Sequence, residues 1–180
     1  MFYGRNIINS YLFSDLQIMK IIIECGGLPH IVFMLHSNHV VMLNEAIVAL
    51  TIMSSTFLQG YSEEELQTHL SSKSEDANHE SKEAGDENKS VLTDPRTVST
   101  QLHTDAVING IKNCLKNPDH PKEIKANAAT LTLTLLKTKT EEFKQMLKEM
   151  NFGQECLTEE ALESLPSDCK KLYDIINKES

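Results

Sequence analysis

The sequence predicts an all-α protein, an α-solenoid of about three repeated helical units with a disordered acidic insertion. Apolar residues recur at helical spacing along most of the chain, and no segment alternates as a half-buried strand would. The run Cys25–Ser55 also returns, in weaker form, near residues 107–136. Residues 71–90 are almost entirely polar. Repeats of this kind present extended binding surfaces, so the pattern favours a binding protein over an enzyme.

The first unit opens with a glycine bend. Gly26 and Gly27 permit a sharp change of chain direction. Pro29 suits the first turn of a helix, because its missing N–H would have no partner there. Ile31 and Leu35 lie one turn apart and share a face of that helix. The spacing therefore predicts a helix that begins near Pro29 and buries this face.

A polar turn, His36–His39, separates this helix from a longer one. The longer helix carries apolar residues at i, i+4, i+7, i+8 and i+11, the pattern of a helix with one buried side. These residues are Met42, Ala46, Ala49, Leu50 and Met53. The alanines in this pattern allow a neighbouring helix to approach closely.

The second copy repeats the same spacing after an insertion. Ile111 and Leu115 correspond to Ile31 and Leu35, and residues 117–121 form the turn. The second apolar stripe consists of Ile124, Ala128, Ala129 and Leu133. The offset between the copies is roughly 80 residues, about twice the length of a common helical repeat, so extra chain must lie between them.

That extra chain is visible in the composition. Residues 71–90 carry six acidic residues against three lysines and only two apolar side chains. Such a segment buries too little apolar surface to offset its ordering entropy, which predicts disorder. The predicted organisation is therefore armadillo-like repeats over 1–70, an acidic loop over 71–100, and a terminal repeat with capping helices over 101–180. Before the loop, the Ser-x-x-Glu pattern at Ser62 predicts a short helix ending near Leu70.

The carboxyl end predicts helices that cover the last repeat. Thr140 is suited to cap a helix that Gly153 would close. The apolar stripe of this helix is Phe143, Met146, Leu147 and Met150. Shorter amphipathic helices are predicted for Thr158–Leu165 and Asp168–Asn177.

The amino end carries two further apolar stripes. The first consists of Ile7, Ile8, Tyr11 and Leu12, and the second of Leu16, Met19 and Ile23. We interpret the first stripe as the last helix of a preceding unit. The chain is then the carboxy-terminal piece of a longer solenoid, as a fragment or a short isoform. In the alternative interpretation, this helix caps a complete small domain.

Composition and charge argue against several function classes. With 17 basic and 26 acidic residues the net charge is −9, a field that repels nucleic acid and attracts basic partners. Residues 25–44 carry no formal charge, yet their glycines, proline and histidines favour a packed repeat over a membrane span. The start of the chain lacks the pattern of a secretory signal, so the cytosol is the expected compartment.

No catalytic or cofactor site is predicted. The four cysteines are widely spaced and match no metal pattern, so they are expected to be free thiols packed as small apolar groups. His36 and His39 are best explained as solvated residues of a polar turn. No serine or cysteine lies in a recognisable nucleophile setting beside a histidine. We therefore expect no catalytic residues, no metal and no cofactor.

A family resemblance can be stated on these residues. The segments IIIECGGLPHIVFML and HVVMLNEAIVALTIMSS, within residues 21–55, resemble armadillo repeats of the small-GTPase GDP-dissociation stimulator family. CLKNPDHP and KEIKANAATLTLTLLK are similar to the last repeats of that family. The resemblance covers about residues 5–150, apart from the acidic loop. It implies a curved solenoid that binds Rho- and Rap-type GTPases with basic, prenylated tails and, for some partners, promotes loss of GDP.

The resemblance also implies partner-binding residues on the second helix of each pair. The sequence Asn127-Ala128-Ala129 corresponds to Asn44-Glu45-Ala46. Near the start of a concave helix, these asparagines would make polar contacts with a partner or support the neighbouring helix. Both interpretations remain open at this stage.

A rival class, the nuclear-import adaptors, uses a Trp and an Asn one turn apart on the concave helix. The chain has no Trp and places Val48 and Ile52 there, with Leu131 and Leu135 in the second copy. These aliphatic side chains suit core packing or an apolar ligand such as a prenyl chain. The full set of predicted partner-binding residues is Asn44, Glu45, Val48, Ile52, Asn127 and Leu131.

Overall fold

Helices, and no strand, make up the part of the chain that the structure, a computed structural model, describes: residues 17–58, 94–158, 162, 163, 165 and 167–177. The helices are α1 Gln17–Glu24, α2 Gly27–Met34, α3 Val40–Phe57, α4 Pro95–Leu102, α5 Asp105–Lys116, α6 Lys122–Thr138, α7 Thr140–Glu149, α8 Phe152–Cys156 and α9 Ser167–Asn177. The predicted all-α class is therefore confirmed.

Taken in chain order, the longer helices of the described residues fall into three groups, α1–α3, α4–α6 and α7–α9, and the helical residues 162 and 163 lie between α8 and α9. In each of the first two groups, the third helix packs against the third helix of the next group, so that α3 contacts α6 and α6 contacts α9. The second helices behave in the same way, since α2 contacts α5 and α5 contacts α8. α6 therefore lies between α3 and α9.

The glycine bend between α1 and α2 is confirmed. The two helix axes meet at 94°, and Gly26 has a φ of 71°, a left-handed conformation that glycine adopts without steric cost. At Gly27 an added Cβ would lie 2.7 Å from the Ile22 side chain. α2 thus begins at Gly27, two residues before Pro29, and its apolar face is fixed by Leu28 and Leu35, both buried.

The buried side of α3 differs in part from the predicted one. Ala46, Leu50 and Met53 are buried as expected, but Met42 is 44% exposed. Leu43 and Ile47 lie in the core in its place. α3 has apolar side chains of its own on every side. Their spacing alone therefore does not determine which of them face the core.

The second group begins earlier than predicted. Pro95 is the first residue of α4, and the Asp94 side chain accepts a hydrogen bond from the Arg96 backbone N–H at 2.9 Å. The predicted loop over 71–100 is therefore wrong for its last six residues, where Val98 and Ser99 are buried. Residues 59–93, with the remainder of that loop and the helix predicted after Ser62, lie outside the described residues.

At the carboxyl end, α7 begins and ends at other residues than the sequence predicts. α7 ends before Asn151, whose φ of 54° provides the left-handed turn that the sequence predicts at Gly153. Gly153 instead lies inside α8, and Thr140 is the first residue of α7 and not its cap. The predicted helix Asp168–Asn177 is confirmed as α9. Most of Thr158–Leu165 and the whole Ile7–Leu12 stripe lie outside the described residues.

One continuous apolar core extends from Met19 in α1 to Ile176 in α9. α2 and α5 approach each other closely at Gly110, where an added Cβ would lie 2.6 Å from the Leu35 Cβ. No single helix among the described residues is both long and apolar enough to cross a bilayer. Only α1 and α2 taken together reach that length and composition, and they are sharply bent.

Candidate protein-interaction surface

Two predicted residues meet where α3 and α6 pack side by side. The Asn127 Nδ2 donates a hydrogen bond of 2.9 Å to the Asn44 Oδ1, and both side chains are half-buried. Asn44 is the fifth residue of α3 and Asn127 the sixth of α6, so the contact joins the amino-terminal parts of the two helices. The correspondence seen in the sequence is thus a direct contact, and it supports the neighbouring helix.

Small side chains extend this contact along both helices. At 100° per residue, Val48 and Thr51 lie on the same side of α3 as Asn44, and Thr130 and Thr134 lie on the same side of α6 as Asn127. We call these six residues the α3–α6 face. The Thr130 and Thr134 hydroxyls donate to the Ala126 and Thr130 carbonyls of their own helix, at 2.9 and 2.8 Å.

The α3–α6 face has hydrogen-bonding groups to offer. The Asn44–Asn127 bond uses one acceptor of Asn44 and one donor of Asn127. The amide nitrogen of Asn44 and the amide oxygen of Asn127 make no further hydrogen bond to the described residues. This amide nitrogen and amide oxygen lie next to each other, near threonine hydroxyls and the half-buried Val48. Together they can donate to and accept from the backbone of an extended polypeptide.

The other predicted residues divide into two sets. Glu45 is exposed and Ile52 is 38% exposed. Around the axis of α3, however, both lie about 80° or more away from Asn44, on a different side of the helix. Leu131 is fully buried, as is Leu135. The prediction of Leu131 as a partner-binding residue is therefore wrong for this structure, because packing on α6 encloses it and core packing explains it.

Glu45 and Ile52 belong to a second surface, which the predicted helix stripe does not describe. Met42, Glu45, Ala49, Ile52 and Thr56 recur at i, i+3, i+7, i+10 and i+14, and we call them the α3 stripe. All five are exposed or half-buried. The heptad spacing is visible in the sequence, but the predicted apolar stripe of α3 places Met42 and Ala49 in the core.

The described residues carry almost no net charge. They include 12 basic and 13 acidic residues, a net charge of −1, whereas the whole chain has a net charge of −9. Residues 59–93 alone contain nine acidic residues against three lysines. The acidic character predicted for the partner surface therefore belongs mainly to this segment, outside the described residues.

A buried histidine, His103, contacts residues of three helices. His103 Nδ1 lies 2.7 Å from the Ser99 carbonyl oxygen of α4, and Nε2 lies 3.1 Å from the Leu135 carbonyl oxygen and 3.1 Å from the Thr138 hydroxyl of α6. Its ring meets Phe143 of α7 edge-on at 5.0 Å. Burial lowers the pKa of His103 more than the two carbonyls raise it. His103 thus connects α4, α6 and α7 inside the core.

A second set of polar contacts joins α5 to the end of α7. The Lys112 Nζ donates to the Met150 carbonyl at 2.7 Å and to the Glu155 carboxylate at 2.9 Å. Lys116 binds the other oxygen of Glu155 at 2.9 Å, and the two lysines lower the pKa of that carboxyl. Each of these groups has a partner that explains its position, so the cluster is structural.

One further depression lies among α7, α8 and α9. A shallow depression of about 270 Å³ is lined by Lys148, Asn151, Gly153, Gln154, Ile176 and Asn177. Its only ionisable group is one lysine. Among the residues that the structure describes, no three histidine, cysteine or carboxylate side chains lie close enough to hold a metal ion.

Three comparisons with known proteins found no match for this chain. No family model matches the sequence, and neither a curated protein nor a solved structure matches the chain.

Proposed function

We propose that this chain is a protein-binding armadillo module that binds small GTPases of the Rho and Rap type, as its family resemblance implies. The observation that carries the proposal is the order of the helices. Within the described residues, α3, α6 and α9 pack side by side in that order, and a glycine bend precedes α2. This arrangement is expected for armadillo units, whose adjacent third helices form a shared binding surface.

The α3–α6 face supports binding of an extended polypeptide. Its asparagine pair and threonines offer hydrogen bonds to a peptide backbone, and Val48 offers a small apolar contact. The described helices are nearly neutral, so we assign the attraction for a basic tail to the acidic residues of 59–93. Charge would then increase the association rate, while the helices hold the bound chain.

Binding is expected without robust nucleotide release. Release of GDP requires the GTPase to be held across several repeats, and the described helices provide three groups. The rival function, nuclear import, requires an aromatic and amide pair one turn apart. The chain has Val48 and Ile52 at those positions. A structural scaffold with neither activity is the remaining alternative.

The test is capture of a prenylated Rho- or Rap-type GTPase by the purified full chain, with a basic import peptide as the competing probe. We expect capture of the GTPase and not of the peptide. Capture should weaken when residues 71–90 are deleted and also in high salt. Capture of the peptide alone would identify an import adaptor, and capture of neither would leave the scaffold.

A matched pair of variants locates the binding surface. Thr130→Lys places a bulky cation on the α3–α6 face, whereas Asn109→Lys makes the same charge change on an exposed position of α5. We expect Thr130→Lys to reduce capture at least about tenfold, a loss of roughly 1.4 kcal/mol in binding free energy. Asn109→Lys should bind as the unmodified chain does. Equal effects of the two variants would exclude this face.

A further inference from the structure

Both ring nitrogens of the buried His103 face backbone carbonyl oxygens. Nδ1 lies 2.7 Å from the Ser99 carbonyl oxygen, and Nε2 lies 3.1 Å from the Leu135 carbonyl oxygen. A carbonyl oxygen can only accept a hydrogen bond, and a neutral imidazole has a single N–H to donate. One nitrogen of neutral His103 therefore presents its lone pair to a carbonyl and needs a donor from elsewhere.

The shorter of the two contacts indicates which nitrogen carries the hydrogen. At 2.7 Å two acceptors would repel each other, so Nδ1 donates to the Ser99 carbonyl. The Ser99 hydroxyl, whose oxygen lies 3.3 Å from the same nitrogen, then cannot donate to it. Nε2 is left with its lone pair. The Thr138 hydroxyl oxygen lies 3.1 Å from Nε2 and can donate to it.

The Thr138 hydroxyl has a second acceptor within reach. Its oxygen lies 2.8 Å from the Leu135 carbonyl oxygen, which also accepts from the Lys139 backbone N–H at 3.3 Å. A hydroxyl has one hydrogen to donate and two lone pairs with which to accept. Thr138 can therefore donate to His103 or to Leu135, one at a time.

We propose that Thr138 and His103 form a proton-dependent hydrogen-bond switch at the point where α6 passes into α7. With His103 neutral, the Thr138 hydroxyl donates to Nε2. When Nε2 binds a proton from solvent, the hydroxyl rotates, accepts from the new N–H and donates to the Leu135 carbonyl. Each of these groups has a hydrogen-bond partner in both states without a change in heavy-atom positions. The switch involves no bound partner, so it is independent of the proposed GTPase binding.

The surroundings of the ring determine which state is present near neutral pH. Burial lowers the pKa of His103, and the carbonyls of Ser99 and Leu135 partly offset this effect. Two charged side chains act on the ring more weakly, since Lys139 lowers the pKa and Glu142 of α7 raises it. These two side chains also pair with each other at 2.9 Å. We therefore expect the neutral ring, with Thr138 as its donor, at about pH 7.5.

Nitrogen-15 NMR of the full chain, labelled in its histidines, tests this assignment. A ring nitrogen that carries hydrogen and one that carries a lone pair resonate far apart, and couplings to the ring protons distinguish Nδ1 from Nε2. His103→Gln identifies the signals of His103. At about pH 7.5 we expect hydrogen on Nδ1 and a lone pair on Nε2. Hydrogen on Nε2 alone, or on both nitrogens at that pH, would overturn the proposal.

A matched pair of variants tests the contribution of Thr138. Thr138→Val keeps the shape of the side chain but removes the hydroxyl, whereas Thr138→Ser keeps the hydroxyl. We expect Thr138→Val to raise the proton affinity of His103 about fivefold, the effect of one hydrogen bond that only the neutral ring loses. The protonated ring can still donate to the Leu135 carbonyl.

Thr138→Ser should titrate as the unmodified chain does, in the same NMR measurement over a series of pH values. An unchanged or lowered proton affinity of His103 in Thr138→Val would contradict the switch. The same rise in both variants would also contradict it, because the hydroxyl would then not be the cause. If either variant folds poorly, the position of the hydrogen in the unmodified chain decides the question.

Discussion

The hydrogen bond between Asn44 and Asn127 connects two helices whose asparagines are 83 positions apart in sequence. It lies in a half-buried position, where a net stabilisation of about 0.5–1.5 kcal/mol is typical. We predict that Asn127→Ala lowers the free energy of unfolding by about that amount and that Asn44→Ala does the same. Chemical denaturation of the two single variants and the double variant measures their coupling. Strictly additive losses would show that the bond contributes nothing.

His103 makes the stability depend on pH. Burial lowers its pKa below the ordinary value near 6.5, the value expected in the unfolded chain. The unfolded state therefore binds the proton more readily, and the contribution of His103 to stability is fully present above about pH 6.5. We predict that the free energy of unfolding falls as the pH is lowered through and below that value. Lys139 adds to this effect by opposing a second positive charge, whereas Glu142 reduces it.

Two histidine variants separate the effect of His103 on the pH dependence of stability from the effects of other titrating residues. His103→Gln removes the titrating group and should flatten the stability profile below pH 6.5. Exposed His30, replaced by Gln, should leave the slope unchanged. Urea denaturation at a series of pH values measures both slopes. If the slope persists in His103→Gln, the pH dependence arises from another residue.

At the scale of helices, the distance between α2 and α5 is set by a glycine. Gly110 is buried, and an added Cβ would lie 2.6 Å from the Cβ of Leu35, itself fully buried. We predict that Gly110→Ala destabilises the protein, because overpacking of about 1–3 kcal/mol exceeds the gain of about 1 kcal/mol in helix propensity. Thermal unfolding followed by circular dichroism measures the loss.

Gly153 provides the matched control for this prediction. It also lies in a helix, but an added Cβ would meet Asn177 Oδ1 at 3.4 Å, an ordinary contact distance. Gly153→Ala should therefore be neutral or slightly stabilising. If both variants unfold at the same temperature, close packing does not determine the separation of α2 and α5.

The helices show which parts of the fold the sequence could predict. The glycine bend, α3, α6 and α9 were predicted because bends, long apolar stripes and turns are local signals. α4 was missed because its residues, PRTVSTQL, are mostly polar, and only Val98, Ser99 and Leu102 are buried through contact with other helices. The left-handed turn at Asn151 was missed because Gly153 is the commoner residue type for it.

The candidate surface was predictable to a smaller extent. The correspondence of Asn44 and Asn127 was visible as a repeated tripeptide, and the two residues are in contact. The sequence does not predict that Leu131 is buried. Val48 and Leu131 occupy corresponding positions of the two copies, but they have different surroundings in the structure. α6 has a helix on either side, whereas within the described chain α3 has a third-helix neighbour only at α6. Position in the array, and not residue type, decides which aliphatic side chain remains accessible.

At the scale of the whole molecule, one apolar core joins all three helix groups. Three of the four cysteines lie within it, Cys114 in α5, Cys156 in α8 and Cys169 in α9, while Cys25 is exposed. Burial raises the pKa of Cys114 and Cys156 to about 11, so both are protonated and unreactive at neutral pH. The expectation of packed free thiols is thus confirmed for these three and wrong for Cys25.

These thiols report whether the core unfolds as one unit. We predict that a thiol reagent modifies one cysteine of the native protein and that Cys25→Ser abolishes this reaction. The three buried thiols should become reactive together, at the denaturant concentration where helicity is lost, because the core that covers them is continuous. Mass spectrometry of the modified peptides identifies each site. Reaction of Cys169 at lower denaturant than Cys114 would show instead that α9 detaches before the rest of the array unfolds.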